Sequence, residues 1–544
     1  MKPPCYEKSA EGKWFYGYPQ LVLLEGITPT RRSDLANRRL EEWERKFAGT
    51  PLLGKTGRIE PPQSVEFRSI GSPISEEAAS KMTDEQWLKA IARYNYADAG
   101  SRFQRIGELI GGAYQLSSVL EKQVKKKPLR FAALVWRFPD DANSYYFDAV
   151  LRGITEAEID VDMQTALRVC LRCYQLPQRP CGRSISWLFK KLSHLPWTAT
   201  ALDILTCYAL NDSDPEQELW RTSVPGGGVY YSGDVYTAGI NSTRGSAMSA
   251  LASLIFANKD CTAYFLLPLQ QAVRDSSIAV RSCVAEVLTA VLNYNRDLAV
   301  NLFLKLCETE DILLGTQSVE HFLYYALPTH LQDLAPTLKR MLNSDLPQVV
   351  KVGARQACLS SIDLEEATSF AERCLTGSET HRLAAAEIFV ANLRSAQYRE
   401  SCEKRLIRLF NDSDEKICDE AAKCFFKFEG DELGNYTDLV QAFVDSPAFT
   451  ANCHDLIYAL EKTTAKLPEV TCLVCEKFVD SFGSATADIR TSSAADADII
   501  SELLVRVYSQ SKNQALQPRC LDIVDRMAQL GTYGLDKALQ QFER

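Results

Sequence analysis

Residues 225–256 read PGGGVYYSGDVYTAGINSTRGSAMSALASLIF and join two segments of opposite character. The first half contains three consecutive glycines, two further glycines and three tyrosines, a composition typical of a structured loop rather than a helix. From Thr243 onward, small residues alternate with leucine and isoleucine at helical spacing. The stretch therefore predicts a helical array that is interrupted near its middle by a long loop at residues 226–244.

The helical half of this stretch recurs along the chain. Five segments that begin at residues 243, 280, 350, 381 and 417 share one apolar register. Four positions after these starts the chain has Ala247, Val284, Ala354, Ala385 and Ala421. Close helix stacking requires such compact residues at one contact and larger apolar ones at the next. We expect all five to be buried between neighbouring helices, in one continuous right-handed stack.

An aspartate precedes three of these segments by five residues, at Asp275, Asp345 and Asp412. Each lies in a predicted turn, where a short carboxylate can cap the helix that follows. With a weaker copy near Val319 included, the segments begin roughly 30 to 40 residues apart, which is the spacing of two-helix solenoid units.

The rest of the chain divides at residue 82. Prolines punctuate residues 1–82, where only 33–47 is predicted to be helical, so we expect an extended N-terminal arm. Thr83 and Gln86 form a capping-box pattern at the start of the array. Helices are then predicted at 103–123, 129–137, 144–152, 163–174, 184–192 and 199–210. No stretch shows sustained two-residue alternation, so the fold class is all-α, an α-solenoid over residues 83–544.

Composition restricts the partners and the compartment. The formal net charge of -9 argues against a nucleic-acid partner, whose phosphates require a concentrated excess of Lys and Arg. Most of the 17 cysteines lie within apolar helical periodicity, which favours reduced thiols in a cytoplasm. The sequence has neither a signal-peptide pattern nor a run approaching about 20 apolar residues. We therefore predict a cytoplasmic protein without a membrane segment.

Two motifs are typical of cofactor or metal sites, but the sequence around each of them does not fit such a site. Residues 49–56, GTPLLGKT, match the P-loop pattern with Lys55 as the phosphate lysine, but a charged helix precedes them and two prolines follow. The pairs Cys170–Cys173 and Cys472–Cys475 each lie on one apolar helix without a second close pair, and the five histidines are scattered. We predict no bound nucleotide, no metal and no other cofactor.

Two groups of residues are candidate binding sites. Lys125, Lys126 and Lys127 form a basic cluster that is either a solvated helix end or a site for phosphates or an acidic partner. The central loop supplies aromatic faces, an acceptor and a cation through Tyr231, Asp234, Tyr236, Asn241 and Arg244. These residues either grip a ligand or peptide, or hold the loop against the array, with an Asp234–Arg244 pair as one possible clasp.

The repeat units resemble HEAT repeats, because an Asp in the turn is followed by Val and a basic residue at the start of the second helix, as in Asp275, Val280 and Arg281. The phrases MTDEQWLKAI, RFPDDANSYYFDAVLRGI, GDVYTAGINSTRGSA and CLDIVDRMAQLGTYGLDKAL are similar to the C-terminal helical region of large bacterial signal-transducing, NACHT-like ATP-binding proteins linked to anti-phage defence. This resemblance implies a sensing or scaffolding array whose NTPase module lies elsewhere, and a partner that is an NTPase, an effector or a phage protein.

Two classes of function follow from these observations. The first is a non-enzymatic interaction, scaffold or sensor module whose solenoid surface receives another protein. The alternative is an enzyme built on HEAT-like repeats, such as a DNA glycosylase or a bilin lyase. A glycosylase requires a basic face with an aromatic and carboxylate pocket, and the sequence has no dense stripe of Arg and Lys. We therefore predict the first class, without catalytic residues.

Overall fold

The computed structural model describes residues 17–48, 71–96, 104–105, 108–109, 111–159, 161–224, 226–426, 428–511, 513–532 and 534–542. The P-loop-like octet at residues 49–56, with Lys55, lies outside these residues. The chain divides into two compact units, a smaller one of Met1–Gly71 and Ser101–Leu109 and a larger one of Ser72–Gly100 and Ile110–Arg544.

The described residues of the smaller unit form two α-helices, a 3₁₀ turn at Pro29–Arg31 and two short paired strands. Its elements are α1 (Tyr18–Glu25), α2 (Asp34–Phe47), β1 (Gln104–Arg105) and β2 (Glu108–Leu109), with β1 antiparallel to β2. Helix α1 packs on α2, and Leu21, Leu40 and Phe47 form a small buried core. The Ser33 hydroxyl accepts a hydrogen bond from the Ala36 amide and caps α2. The helix predicted at 33–47 is confirmed, whereas α1 was not predicted.

The larger unit is helical. In chain order its α-helices are α3 (Glu76–Ser80), α4 (Asp84–Arg93), α5 (Ala113–Lys126), α6 (Pro128–Leu134), α7 (Ser144–Thr155), α8 (Met163–Tyr174), α9 (Gly182–Lys191), α10 (Ala199–Asn211), α11 (Val235–Ile240), α12 (Thr243–Ala257), α13 (Asp260–Ala272), α14 (Ile278–Leu292), α15 (Arg296–Leu306), α16 (Gln317–Leu342), α17 (Pro347–Asp363), α18 (Thr368–Thr376), α19 (Glu379–Asn392), α20 (Arg399–Phe410), α21 (Glu415–Ala422), α22 (Thr437–Val444), α23 (Ala448–Ala451), α24 (His454–Lys462), α25 (Pro468–Phe482), α26 (Ser492–Gln510), α27 (Leu516–Gln529) and α28 (Leu535–Phe542).

These helices form a solenoid of HEAT-like pairs. Helices α5, α7, α9, α12, α14, α16, α17, α19 and α21 each contact the next in this order, and together they are called the first row. Most of them also pack on the helix that follows in the chain, as α12 does on α13 and α17 on α18. Some of those following helices stack on one another as a second row, namely α6 on α8, α8 on α10, α10 on α13 and α20 on α22. The all-α solenoid prediction is confirmed.

The register predicted from the repeats matches the core. Ala247, Val284, Ala354, Ala385 and Ala421 are all fully buried. Their helices, α12, α14, α17, α19 and α21, all belong to the first row. A side chain larger than the native one at these positions would separate two packed helices, because interiors of this kind have no spare volume.

Helix α16 carries the weaker repeat near Val319. This 26-residue helix is broken at His330, whose φ of -131° departs from helical geometry, and it contains Pro328 and Pro336. Proline removes a helical hydrogen bond and clashes with the preceding turn. One continuous element therefore supplies two helical segments that are joined by a kink.

One predicted helix boundary differs from the structure. The helix predicted at 103–123 begins only at Ala113, because the strands β1 and β2 occupy part of its first third. Ser72–Gly100 belongs to the larger unit, in which α3 packs on α5, and the division at residue 82 stays a prediction. Among the residues described, no helix combines the length and hydropathy needed to cross a bilayer.

Candidate protein-binding surface

The glycine-rich segment is more regular than a long loop. Ser223 pairs with Val229 in a small hairpin, and the tip between them holds Gly226, Gly227 and Gly228 at φ of 100°, 99° and 88°. A 3₁₀ turn at Tyr230–Gly233 and helix α11 follow. Only glycine adopts such positive φ values without strain, so the glycines make this turn possible. The predicted 226–244 loop is therefore wrong in its second half, which is helical.

Two glycines let α11 approach its neighbours closely. A Cβ atom on Gly239 would lie 2.3 Å from the Ala279 carbonyl oxygen of α14, and one on Gly245 would lie 2.0 Å from the Gly239 carbonyl oxygen. Any side chain at either position would force backbones apart. The sequence GINSTRG thus fixes α11 against both α12 and α14.

Arg244 is a buried clasp between repeats. Its Nε and Nη2 donate hydrogen bonds to the two Asp275 carboxylate oxygens at 3.1 and 3.2 Å, and its Nη1 donates to the Asp212 carbonyl oxygen at 2.8 Å. The side chains of Arg244 and Asp275 are each only 9% exposed. The predicted Asp234–Arg244 pair does not form, because Arg244 points to the turn before α14 instead.

The other polar residues of the segment serve local structure. Asp234 caps α11 by accepting a hydrogen bond from the Thr237 amide at 2.5 Å. The Asn241 side chain donates to the Thr237 carbonyl at 2.9 Å and accepts from Arg183 at 3.3 Å. Tyr231 is half-buried against the main core. These contacts favour the clasp role over ligand binding for Asp234 and Asn241.

Tyr236 has a different role, because its hydroxyl reaches the first row. It donates a hydrogen bond to Oε2 of Glu286 at 3.0 Å, and Ser249 donates to Oε1 at 3.4 Å. Lys190 Nζ in turn donates to the Ser249 hydroxyl at 2.8 Å. Burial, with a smaller contribution from Glu286, raises the pKa of Tyr236, so the phenol stays protonated and acts as a donor. One polar chain therefore links α9, α12, α14 and α11.

A cavity of about 370 Å³ opens beside Glu286. It lies where α11, α12, α14 and α16 meet, and its lining residues are Tyr236, Phe256, Glu286, Thr289, Gln317, Ser318, His321 and Tyr325. Phe256 is 47% and Tyr325 is 54% exposed. This Glu286 cavity thus combines a held carboxylate with accessible aromatic rings.

Further aromatic side chains are exposed on other first-row helices. Tyr114 of α5 and Tyr145 of α7 are exposed and meet edge to face with their ring centroids 5.4 Å apart. Trp187 of α9 is also exposed, beside the Arg183 guanidinium. Together with Phe256 and Tyr325, these five residues define what is called here the first-row surface.

Two of the three lysines of the basic cluster, Lys125 and Lys126, form ion pairs inside the larger unit. Lys125 pairs with Glu156 at 2.5 Å and with Glu121 at 3.1 Å. Lys126 pairs with Glu76 at 3.4 Å, and Lys122 pairs with the same carboxylate at 2.9 Å. Lys127 is the exposed C-cap of α5. These pairs favour a structural helix end over a phosphate site for Lys125 and Lys126.

The cysteine pairs show no metal geometry. Cys170, Cys173, Cys472 and Cys475 are buried, and burial raises the pKa of the Cys170 and Cys475 thiols. Within the part of the chain that the structure describes, no group of three or more His, Cys, Asp or Glu could hold a metal ion.

Sequence reasoning found Tyr236 but missed Glu286, Phe256, His321 and Tyr325. A signal for Glu286 was present, because it is the one carboxylate in the mostly apolar helix α14, IAVRSCVAEVLTAVL. A carboxylate on such a helix either pairs or faces a cavity, since burying it uncompensated is costly. Phe256 and Tyr325 carry no such signal, because aromatic residues at helical spacing are most often core.

No family model matches the chain, and no curated protein matches it in sequence. Among solved structures, it is similar to a homology model of the full-length AP-3 complex, with 13% identity and a TM-score of 0.41 over 77% of this chain and 72% of that one. It is also similar to yeast importin-beta (Kap95p), with 11% identity and a TM-score of 0.36 over 84% of this chain and 62% of that one. Kap121p bound to Nup53p is a third such structure, with 11% identity and a TM-score of 0.27 over 98% of this chain and 68% of that one.

Proposed function

We propose that this chain is a non-enzymatic scaffold whose first-row surface binds an extended segment of a partner protein. The observation that carries the proposal is the Glu286 cavity, where Phe256 and Tyr325 leave about half of their surface in water beside a held carboxylate. Exposed aromatic residues around a polar anchor are typical of binding surfaces, because burying them on association releases water.

The charge pattern of the first row disfavours the glycosylase alternative. Glu121 pairs with Arg152 at 2.9 Å, and Arg355 lies 3.1 Å from Glu320 and 3.8 Å from Glu387. A surface that tracks a nucleic-acid backbone needs unpaired Arg and Lys instead. No specific observation favours the bilin lyase alternative, and the absence of catalysis stays a prediction.

The class of the partner protein is a separate proposal. We propose an NTPase, an effector or a phage protein, with the chain acting as a cytoplasmic sensor in bacterial anti-phage defence. This proposal rests only on the sequence phrases that resemble NACHT-like proteins. An NTPase or nuclease gene next to the gene for this chain is the expected result, and a neighbourhood without either would contradict it.

The binding surface can be tested by selecting displayed random 12-residue peptides on the purified chain. We expect enriched peptides to bind the native protein and to bind a Phe256→Ala, Tyr325→Ala double variant roughly tenfold more weakly, because aromatic anchors dominate such interfaces. Leu267→Ala is the matched control, since Leu267 is 75% exposed on the second-row helix α13. Peptides that bind all three proteins equally, or no enrichment at all, would overturn the proposed surface.

A further inference from the structure

The Glu286 cavity has a one-sided charge. Of its eight lining residues, Glu286 carries the only carboxylate, and none is lysine or arginine. The nearby Lys190 does not line it and donates to the Ser249 hydroxyl instead. Besides Glu286, the only titratable groups in the lining are His321 and the two tyrosines, so the carboxylate is its one acidic group.

The carboxylate is oriented before any ligand arrives. Tyr236 and Ser249 each donate a hydrogen bond to a different oxygen of Glu286. Lys190 donates to the Ser249 hydroxyl oxygen, so the Ser249 proton is left to point toward the carboxylate. A carboxylate oxygen accepts more than one hydrogen bond, so both oxygens keep acceptor capacity for an incoming donor. Such preorganisation reduces the entropy that binding would otherwise cost.

The aromatic rings of the cavity also attract a positively charged group. Tyr236, Phe256 and Tyr325 line the cavity around Glu286, and the faces of such rings attract cations through their quadrupole. The volume of about 370 Å³ is at the small end of the range for ligand sites, which suits a single side chain.

Building on the proposed function, we infer that the Glu286 cavity receives an arginine or lysine side chain of the bound partner segment. The aliphatic stem of that side chain packs on the exposed rings, and its charged head donates hydrogen bonds to Glu286. Charge complementarity selects this occupant, because an acidic residue would be repelled by Glu286 and an apolar one would cover the remaining acceptor positions of the carboxylate without filling them.

The test uses the peptides selected on the native chain. We expect them to be enriched in arginine or lysine at one fixed position, and Glu286→Gln to weaken their binding roughly tenfold, as loss of a charge-assisted hydrogen bond does. Glutamine has the same shape and still accepts from Tyr236. The control is Glu400→Gln, because the Glu400 side chain is 83% exposed on α20.

A second arm changes the ligand instead of the protein. Replacing the key arginine by citrulline, or the key lysine by norleucine, removes the peptide charge and should weaken binding to the native chain by a similar factor. The two changes should be non-additive when combined, because they remove one shared interaction. If peptides bind through Phe256 and Tyr325 but carry no basic residue, or ignore Glu286→Gln, this inference fails while the proposed surface stands. If the selection yields no peptide that binds through Phe256 and Tyr325, the proposed surface and this inference both fail.

Discussion

Arg244 and Lys126 both pair with carboxylates, but they do so in opposite surroundings. The side chains of Arg244 and Asp275 are each 9% exposed, whereas those of Lys126 and Glu76 are 60% and 43% exposed. Water screens an exposed pair, and ordering its side chains costs entropy, so its net contribution is small. Removing one member of a buried pair leaves an uncompensated charge. The burial of an ion pair, rather than its presence alone, therefore decides how much it contributes to the stability of the fold.

The buried pair also spans more structure than the exposed one. Arg244 lies in the first turn of helix α12, Asp275 lies in the turn before α14, and the Arg244 amide donates to the Asp214 carbonyl at 3.1 Å. A comparable contact recurs where Arg382 of α19 pairs with Asp412 at 2.7 Å, again across to the turn before the next first-row helix. Such pairs fix the stagger of successive repeats. The lysine pairs only join the end of α5 to nearby surface carboxylates.

The largest effect is expected from Arg244→Ala. This change leaves Asp275 buried without its cation and removes three hydrogen bonds, which should lower the free energy of unfolding by about 3–5 kcal/mol. Chemical denaturation followed by circular dichroism measures it. Asp275→Asn should also lower the free energy of unfolding, because it leaves the buried Arg244 guanidinium without its counter-charge. An Arg244→Ala variant with unchanged stability would show that burial does not set the strength of this pair.

An intermediate effect is expected from Tyr236→Phe, because the pair that it breaks is half-buried. Phenylalanine keeps the packing against the core but removes the hydrogen bond to Glu286, which should cost about 0.5–1.5 kcal/mol. The matched control is Tyr230→Phe, since Tyr230 is 42% exposed on the neighbouring turn. A loss of unfolding free energy as large as that of Arg244→Ala would contradict the expectation that the effect grows with the burial of the contact.

Local periodicity predicted the array well, because helix type and buried register depend on residues that are close in sequence. Helix α8 begins and ends at the predicted residues, Met163 and Tyr174, and the five aligned repeat positions are buried. The pairing of strands β1 and β2 was missed, since residues 103–123 also fit a helical pattern. Alpha-helix α11 was missed because Gly239, which lowers helix propensity, is required there by the close approach of α14.

The candidate site was harder to predict, because its members come from separate repeats. Tyr236 and Glu286 are 50 residues apart, and Arg244 and Asp275 are 31 apart. A sequence pattern shows that Arg244 follows a glycine-rich segment, but not which of several aspartates it will meet. The same limit applies to the lysine cluster, whose partner Glu76 lies 46 residues before Lys122. Only the stacking of repeats decides these pairings.

The smallest effect is expected from the double variant Lys122→Ala, Lys126→Ala. The hydrogen bond from Lys122, followed by the charges of Lys122 and Lys126, holds the pKa of Glu76 below its usual value. A depressed carboxyl pKa contributes stability above the pKa of the unfolded chain, and that contribution is lost as the pH falls through the folded-state pKa. Because this pair is exposed, we expect the Tm at neutral pH to stay unchanged, while the pKa of Glu76, measured by carboxyl carbon NMR, rises toward its usual value. A drop in Tm approaching that of Arg244→Ala would show instead that the lysine cluster holds α3 against α5, and that the contrast between buried and exposed pairs does not apply to this fold.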